Sequence, residues 1–131
     1  MGMMSLGRHL LCEYHGCDRE LLDRPERVRA EMLAAVTRSG ATPVHDFVHA
    51  FTPHGVTGIV VIAESHFAIH TWPEYGFAAV DLFTCGDSVD PWRAFEHLGG
   101  ALRAASHSVV EVRRGLLPPR EGGRLPHKPG A

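Results

Sequence analysis

Val56-Thr57-Gly58-Ile59-Val60-Val61-Ile62-Ala63-Glu64-Ser65-His66-Phe67-Ala68-Ile69-His70-Thr71 is the stretch on which the reading of this chain turns. Val56–Ile62 is a continuous, largely β-branched apolar run, the pattern of a buried strand. His66–Thr71 reads as a second strand, and polar Glu64, Ser65 and His66 interrupt the two. Upstream, Pro53-His54-Gly55 makes a turn, preceded by a strand over Thr42–Phe51. Downstream, a Pro73–Gly76 turn leads into another strand, Phe77–Thr84.

The flanks supply helices. Asp23 is a helix N-cap by its position, with Pro25 in the first turn and Glu26 three residues on. Val28, Met32, Ala35 and Val36 then form one apolar stripe, and Gly40 is a natural stop. Asp90 caps a second helix with Pro91 at its first position, and Phe95, Leu98, Leu102 and Ala105 supply its stripe. Arg8–Tyr14 and Ser108–Arg113 read as the first and last strands. The order β-α-β-β-β-β-α-β predicts an α+β fold: a largely antiparallel sheet with two helices on one face. The other face must meet solvent or another sheet, so dimerisation into a four-layer αββα sandwich is expected. Residues 1–115 form one domain. Residues 116–131 are rich in Pro, Gly and Arg, with little to bury, and are expected to be a disordered tail.

Bulk properties narrow the function. A net charge of −2 provides no basic field for nucleic acid or an anionic membrane. No apolar run approaches the roughly 20 residues that span a bilayer. Met1–Leu6 is too short for a signal peptide, so a cytosolic protein is expected. Three cysteines, Cys12, Cys17 and Cys85, include no CxxC pair, which argues against a disulfide framework or zinc ribbon. The ten histidines call for an explanation.

Read alone, Glu64-Ser65-His66 is either a hairpin turn with Ser65 and His66 exposed or a site. His66 and His70 would share a face of a strand. A metal would need a third ligand, for which Cys85 or Glu74 could serve, but no metal site is assigned.

Taken together, Glu64-Ser65-His66, His70-Thr71-Trp72-Pro73-Glu74-Tyr75-Gly76 and Phe83-Thr84-Cys85-Gly86 resemble the prokaryotic, short-chain S-adenosylmethionine decarboxylases. Gly7-Arg8-His9-Leu10-Leu11 and Pro53-His54-Gly55-Val56 fit the same family. The resemblance implies autocatalytic cleavage between Glu64 and Ser65, giving a β chain of residues 1–64 and an α chain of residues 65–131. The new α terminus is a pyruvoyl cofactor derived from Ser65, which forms a Schiff base with S-adenosylmethionine and accepts the electrons left by CO₂. The resemblance casts His70 as the proton-transfer group of processing, suited to it by an imidazole near neutrality. It casts Thr57 as a supporting hydroxyl, where related chains often carry Ser. Cys85 becomes the proton donor of turnover, Phe51 the ring that stacks on adenine, and Glu74 the carboxylate that binds the ribose hydroxyls. The product would supply aminopropyl groups for spermidine. Three alternatives differ in kind: a same-scaffold ornithine or arginine decarboxylase, a non-catalytic partner protein, and a small histidine-rich metal binder. A simple amino acid offers no ring or diol to Phe51 and Glu74, and intact Glu64, Ser65, His70 and Cys85 argue against a dead homologue.

Overall fold

The structure is a computed structural model and describes residues 4–118. The described residues form one six-stranded antiparallel sheet with helices on one face. The elements are β1 (Met4–His15), α1 (Arg19–Leu22), α2 (Pro25–Ser39), β2 (Thr42–Ala50), β3 (Val56–Ala63), β4 (Ser65–Trp72), β5 (Phe77–Cys85), α3 (Pro91–Ala101) and β6 (Ser106–Leu117). A single 3₁₀ turn, Pro73–Tyr75, joins β4 to β5 and ends at Gly76 in the left-handed region. The sheet order is β2-β3-β4-β5-β1-β6, so β1 lies between β5 and β6.

The expected α+β class and its helices on one face are what the chain forms. Leu10, Cys12 and Tyr14 of β1, Val60 and Ile62 of β3, Phe67 and Ile69 of β4, and Val80 and Leu82 of β5 point toward α2 and α3. Val28, Met32, Ala35 and Val36 of α2, with Phe95 and Leu98 of α3, close the core from the other side. Each large apolar side chain buried this way contributes roughly 1.5–3 kcal/mol. Gly58 sets how closely α2 approaches β3, since a Cβ there would lie 2.6 Å from Met32 Sδ.

Several local details differ from the sequence reading. Asp23 does not cap α2, whose N-cap is Arg24 with no side-chain bond. Its Oδ1 instead accepts from the Gly55 N–H at 2.8 Å, tying the β2–β3 turn to α1. The short α1 was not foreseen, although Asp18 caps it by accepting from Glu20 and Leu21. Ala105 lies beyond the end of α3 and is exposed, because the helix stops at Ala101. β6 runs through Leu117, so Leu116 and Leu117 of the expected tail are strand. The rest of that tail, beyond residue 118, lies outside the described residues.

β3 is buried on one face only. Its burial alternates, leaving Ile59 and Val61 exposed on the face without helices. The run is apolar throughout because both faces carry apolar side chains, and one of them is bare here. Phe47, Leu11, Val110 and Val112 extend that bare face, each at least 42% exposed. No described helix is long and apolar enough to cross a membrane.

Candidate active site

The candidate residues fall into two groups of side chains, at opposite ends of β4. The first surrounds the β3–β4 hairpin. Ile62 pairs with Ser65, so the chain reverses through Ala63 and Glu64. Ser65 is the first residue of β4 and sits at φ 114°, a region that costs a non-glycine residue roughly 1–3 kcal/mol. The hairpin is there, but Ser65 and His66 are half-buried within it rather than exposed. Ser65 Oγ lies 3.9 Å from Cys85 Sγ at the end of β5.

Cys85 differs from the other two cysteines. Cys12 and Cys17 are buried in the core, and burial pushes both thiols up, Cys17 to about 11. Cys85 is partly exposed beside the hairpin. Gly7, its neighbour on β1, leaves it room: a Cβ there would lie 3.0 Å from Cys85 Sγ and 2.7 Å from the Phe83 ring. Thr84, the cross-strand partner of Ser65, is 1% exposed. Its Oγ1 is buried without a hydrogen-bond partner among the described residues.

The second group lines a cleft of about 390 Å³ at the far end of β4. Phe51, His54, Thr57, His70, Trp72 and Glu74 form its walls. Thr57 and His70 are cross-strand partners, and Thr57 Oγ1 and His70 Nδ1 share a 3.0 Å hydrogen bond. Glu74 pairs with His54 at 3.0 Å. Thr71 fixes this end of the sheet: its buried Oγ1 accepts from Val56 N–H and donates to the Leu22 carbonyl, both at 2.8 Å. The structure thus brings Phe51, Thr57, His70 and Glu74 together, and separately Glu64, Ser65 and Cys85. Within one chain it does not bring His70 to Ser65. Five residue steps of continuous β4 separate them, roughly 16 Å along the strand.

The histidines have partners of their own. His9 and His66, from β1 and β4, each place Nε2 2.8 Å from Asp81 Oδ2 on the bare face. Burial pushes the Asp81 carboxyl up, but the two imidazole donors outweigh it and hold the group below its ordinary range. These three side chains are close enough to hold a metal ion. The second nitrogen of His9 argues against one. Arg114 Nη1 lies 3.3 Å from His9 Nδ1, and a guanidinium can only donate. In this arrangement Nδ1 accepts and Nε2 donates to Asp81, so a metal at Nε2 would have to displace that hydrogen and the Arg114 contact. His66 and His70 lie roughly 13 Å apart along β4 and share no ligand.

Residues 8–115 match the family model described as S-adenosylmethionine decarboxylase. The chain belongs to that family. The S-adenosylmethionine decarboxylase proenzyme of Thermotoga maritima is 59% identical over 113 residues, covering 86% of this chain and 87% of that protein. The proenzyme of Caldicellulosiruptor saccharolyticus is 47% identical over 115 residues, covering 88% and 93%. The crystal structure of the adenosylmethionine decarboxylase from Aquifex aeolicus superposes with a TM-score of 0.81 at 37% identity, covering 87% of this chain and 94% of that one. An ornithine or arginine substrate finds no support in these names.

Three features of the site escaped the sequence reading. Gly7 stood inside a quoted motif, but its φ is unremarkable and only its contacts reveal its use. Thr84 also stood inside a motif, where a threonine in a strand draws no notice. Asp81 meets His9 and His66 from two other strands, a contact that no local spacing announces.

Proposed function

We propose that this chain is a self-processing S-adenosylmethionine decarboxylase that cuts its own Glu64–Ser65 bond and works as a dimer serving polyamine synthesis. The observation that carries the reading is Ser65 itself, held at φ 114° in a hairpin with its hydroxyl beside the Cys85 thiol. That geometry fits a pyruvoyl group formed from Ser65: the reacting peptide lies in a turn, and a thiol stands next to it. The pyruvoyl supplies the electron sink for the departing CO₂. The proton transfers and the positioning fall to side chains of the protein.

The hydroxyl of Ser65 adds to the Glu64 carbonyl, exchanging an amide for an ester; elimination then frees the β chain, residues 1–64, and water hydrolyses the remaining enamine, releasing the Ser65 nitrogen as ammonia and leaving the ketone. A base must take the Ser65 Cα proton, and the family resemblance assigns that role to His70, whose ring is oriented by Thr57. Since His70 lies at the far end of its own β4, it acts on the partner subunit's Ser65. The bare apolar face supports this arrangement. A second copy covers it, with a two-fold axis lying between the faces and running across the strands. Each cleft then lies against the other subunit's hairpin. This makes the αββα dimer part of the active site.

Substrate would bridge the two ends. Its adenine stacks on Phe51, its ribose hydroxyls meet Glu74, and its sulfonium lies among the exposed aromatic faces of the cleft. Its amino-acid end reaches the hairpin of the other subunit, where the Cys85 thiol returns a proton to the α-carbon after CO₂ leaves. Intact-mass analysis of the purified protein, incubated with S-adenosylmethionine while CO₂ release is followed, tests the reading. The expected result is two fragments meeting at Glu64–Ser65, an α fragment with no free amine at its N-terminus, and CO₂ release. A single uncleaved chain that still releases CO₂ overturns it.

A further inference from the structure

We propose that the Thr84 hydroxyl is the hydrogen-bond donor that stabilises the Glu64 carbonyl oxygen while Ser65 adds to it. The inference rests on the self-cleavage reading above and assigns one of its missing parts. Thr84 and Ser65 face each other across β5 and β4. Cross-strand partners lie about 4.5–5.5 Å apart at Cα, so Thr84 stands at the level of the Glu64–Ser65 peptide, with its side chain on the helix-covered face alongside Leu82. The side chain is 1% exposed, and its Oγ1 is buried without a partner among the described residues.

A buried hydroxyl without a partner destabilises the uncleaved chain. Such a hydroxyl is available to a step that the resting structure does not display. Adding Ser65 Oγ to the Glu64 carbonyl is such a step. The new C–O bond forms from an oxygen lone pair, the Ser65 hydroxyl proton passes to the base, and the carbonyl π pair moves onto oxygen. The resulting oxyanion is the acceptor that Thr84 lacks. When the C–N bond breaks, its electron pair leaves on the Ser65 nitrogen, which takes a proton, and the carbonyl re-forms as an ester. Thr84 keeps its own proton throughout. A bond absent in the ground state and made in the transition state lowers the barrier by its full strength.

The experiment compares Thr84→Val and Thr84→Ser with wild type. Freshly synthesised full-length chains are followed by denaturing electrophoresis as the two fragments appear. The variants are also placed in a Ser65→Ala background, which stays whole, and their thermal unfolding is compared. T84V is expected to slow cleavage by about 10²–10³-fold, as loss of one such donor typically does. T84S is expected to cleave at close to the wild-type rate. In the uncleavable background, T84V is expected to keep or raise the melting temperature, since it removes an unpaired polar group. Cleavage of T84V at the wild-type rate overturns the inference while leaving the self-cleavage reading intact. So does slow cleavage in both variants with a lowered melting temperature, which would mark a packing role. A wild-type chain that never cleaves removes both readings together.

Discussion

Placing His70→Ala in one subunit and Ser65→Ala in the other divides the two ends of β4 between different chains. The magnitude follows from the strand. Ser65 and His70 lie roughly 16 Å apart along β4, beyond the span of an imidazole, so a subunit's own His70 cannot serve its own Ser65. An H70A chain expressed alone should remain whole or stall at the ester, losing about 10²–10⁴-fold in cleavage rate. An S65A chain should fold and never cleave, but it retains His70. When the two are co-expressed in equal amounts with distinguishable tags, random pairing puts about half of the H70A chains into mixed dimers. Those chains, and no others, regain a base from the partner. About half of the H70A chains should therefore appear as fragments by intact mass, and the S65A chains should appear only whole. The reasoning fails if H70A alone cleaves like wild type. It fails equally if isolated mixed dimers leave the H70A chain uncut.

Cys85→Ala should still cleave but lose about 10²–10⁴-fold in turnover, and its remaining activity should decay with use as protons reach the wrong carbon; progress curves of CO₂ release show both effects. Gly7→Ala should displace the Cys85 thiol, since the new Cβ would sit 3.0 Å from Sγ. It should lower turnovers per lifetime more than it slows cleavage, read by comparing total product with fragment appearance. Asp81 predicts an acid limb in the stability profile. Its carboxyl is held below its ordinary range in the folded chain, so the stability it lends is present above the unfolded value, near pH 4. That stability is lost as pH falls through the lower folded value. Asp81→Asn should therefore flatten the fall in melting temperature below about pH 4, and an unchanged slope would show that Asp81 contributes nothing there.

Much of the fold could be read from local pattern because the forces behind it are local. The β-branched run Val56–Ile62, the Pro73–Gly76 turn, Gly40 and the Asp90–Pro91 start of α3 each carry their own signal. Asp23 misled because capping chemistry also serves other donors, and here a turn N–H from Gly55 reached it first. The candidate site could be named from the sequence as a set of residues but not as an arrangement. Ser65 and His70 are near in sequence, and sequence nearness suggests contact. An extended strand makes the same five residues a separation. His9, His66 and Asp81 come from β1, β4 and β5, so only the strand order reveals that they meet.

If the proposed cleavage takes place, that strand order makes refolding a two-molecule event. Cutting between Glu64 and Ser65 leaves β1, β2 and β3 on one fragment and β4, β5 and β6 on the other, yet β1 is threaded between β5 and β6. The two pieces alternate like the teeth of a closed zip, and neither can leave without stripping a central strand from both neighbours. The uncut chain can fold by itself. Once cut and denatured, the same sheet must anneal from two separate molecules, so its recovery should depend on the concentration of fragments. The mature enzyme would then be preserved by the slowness of its unfolding more than by any capacity to refold.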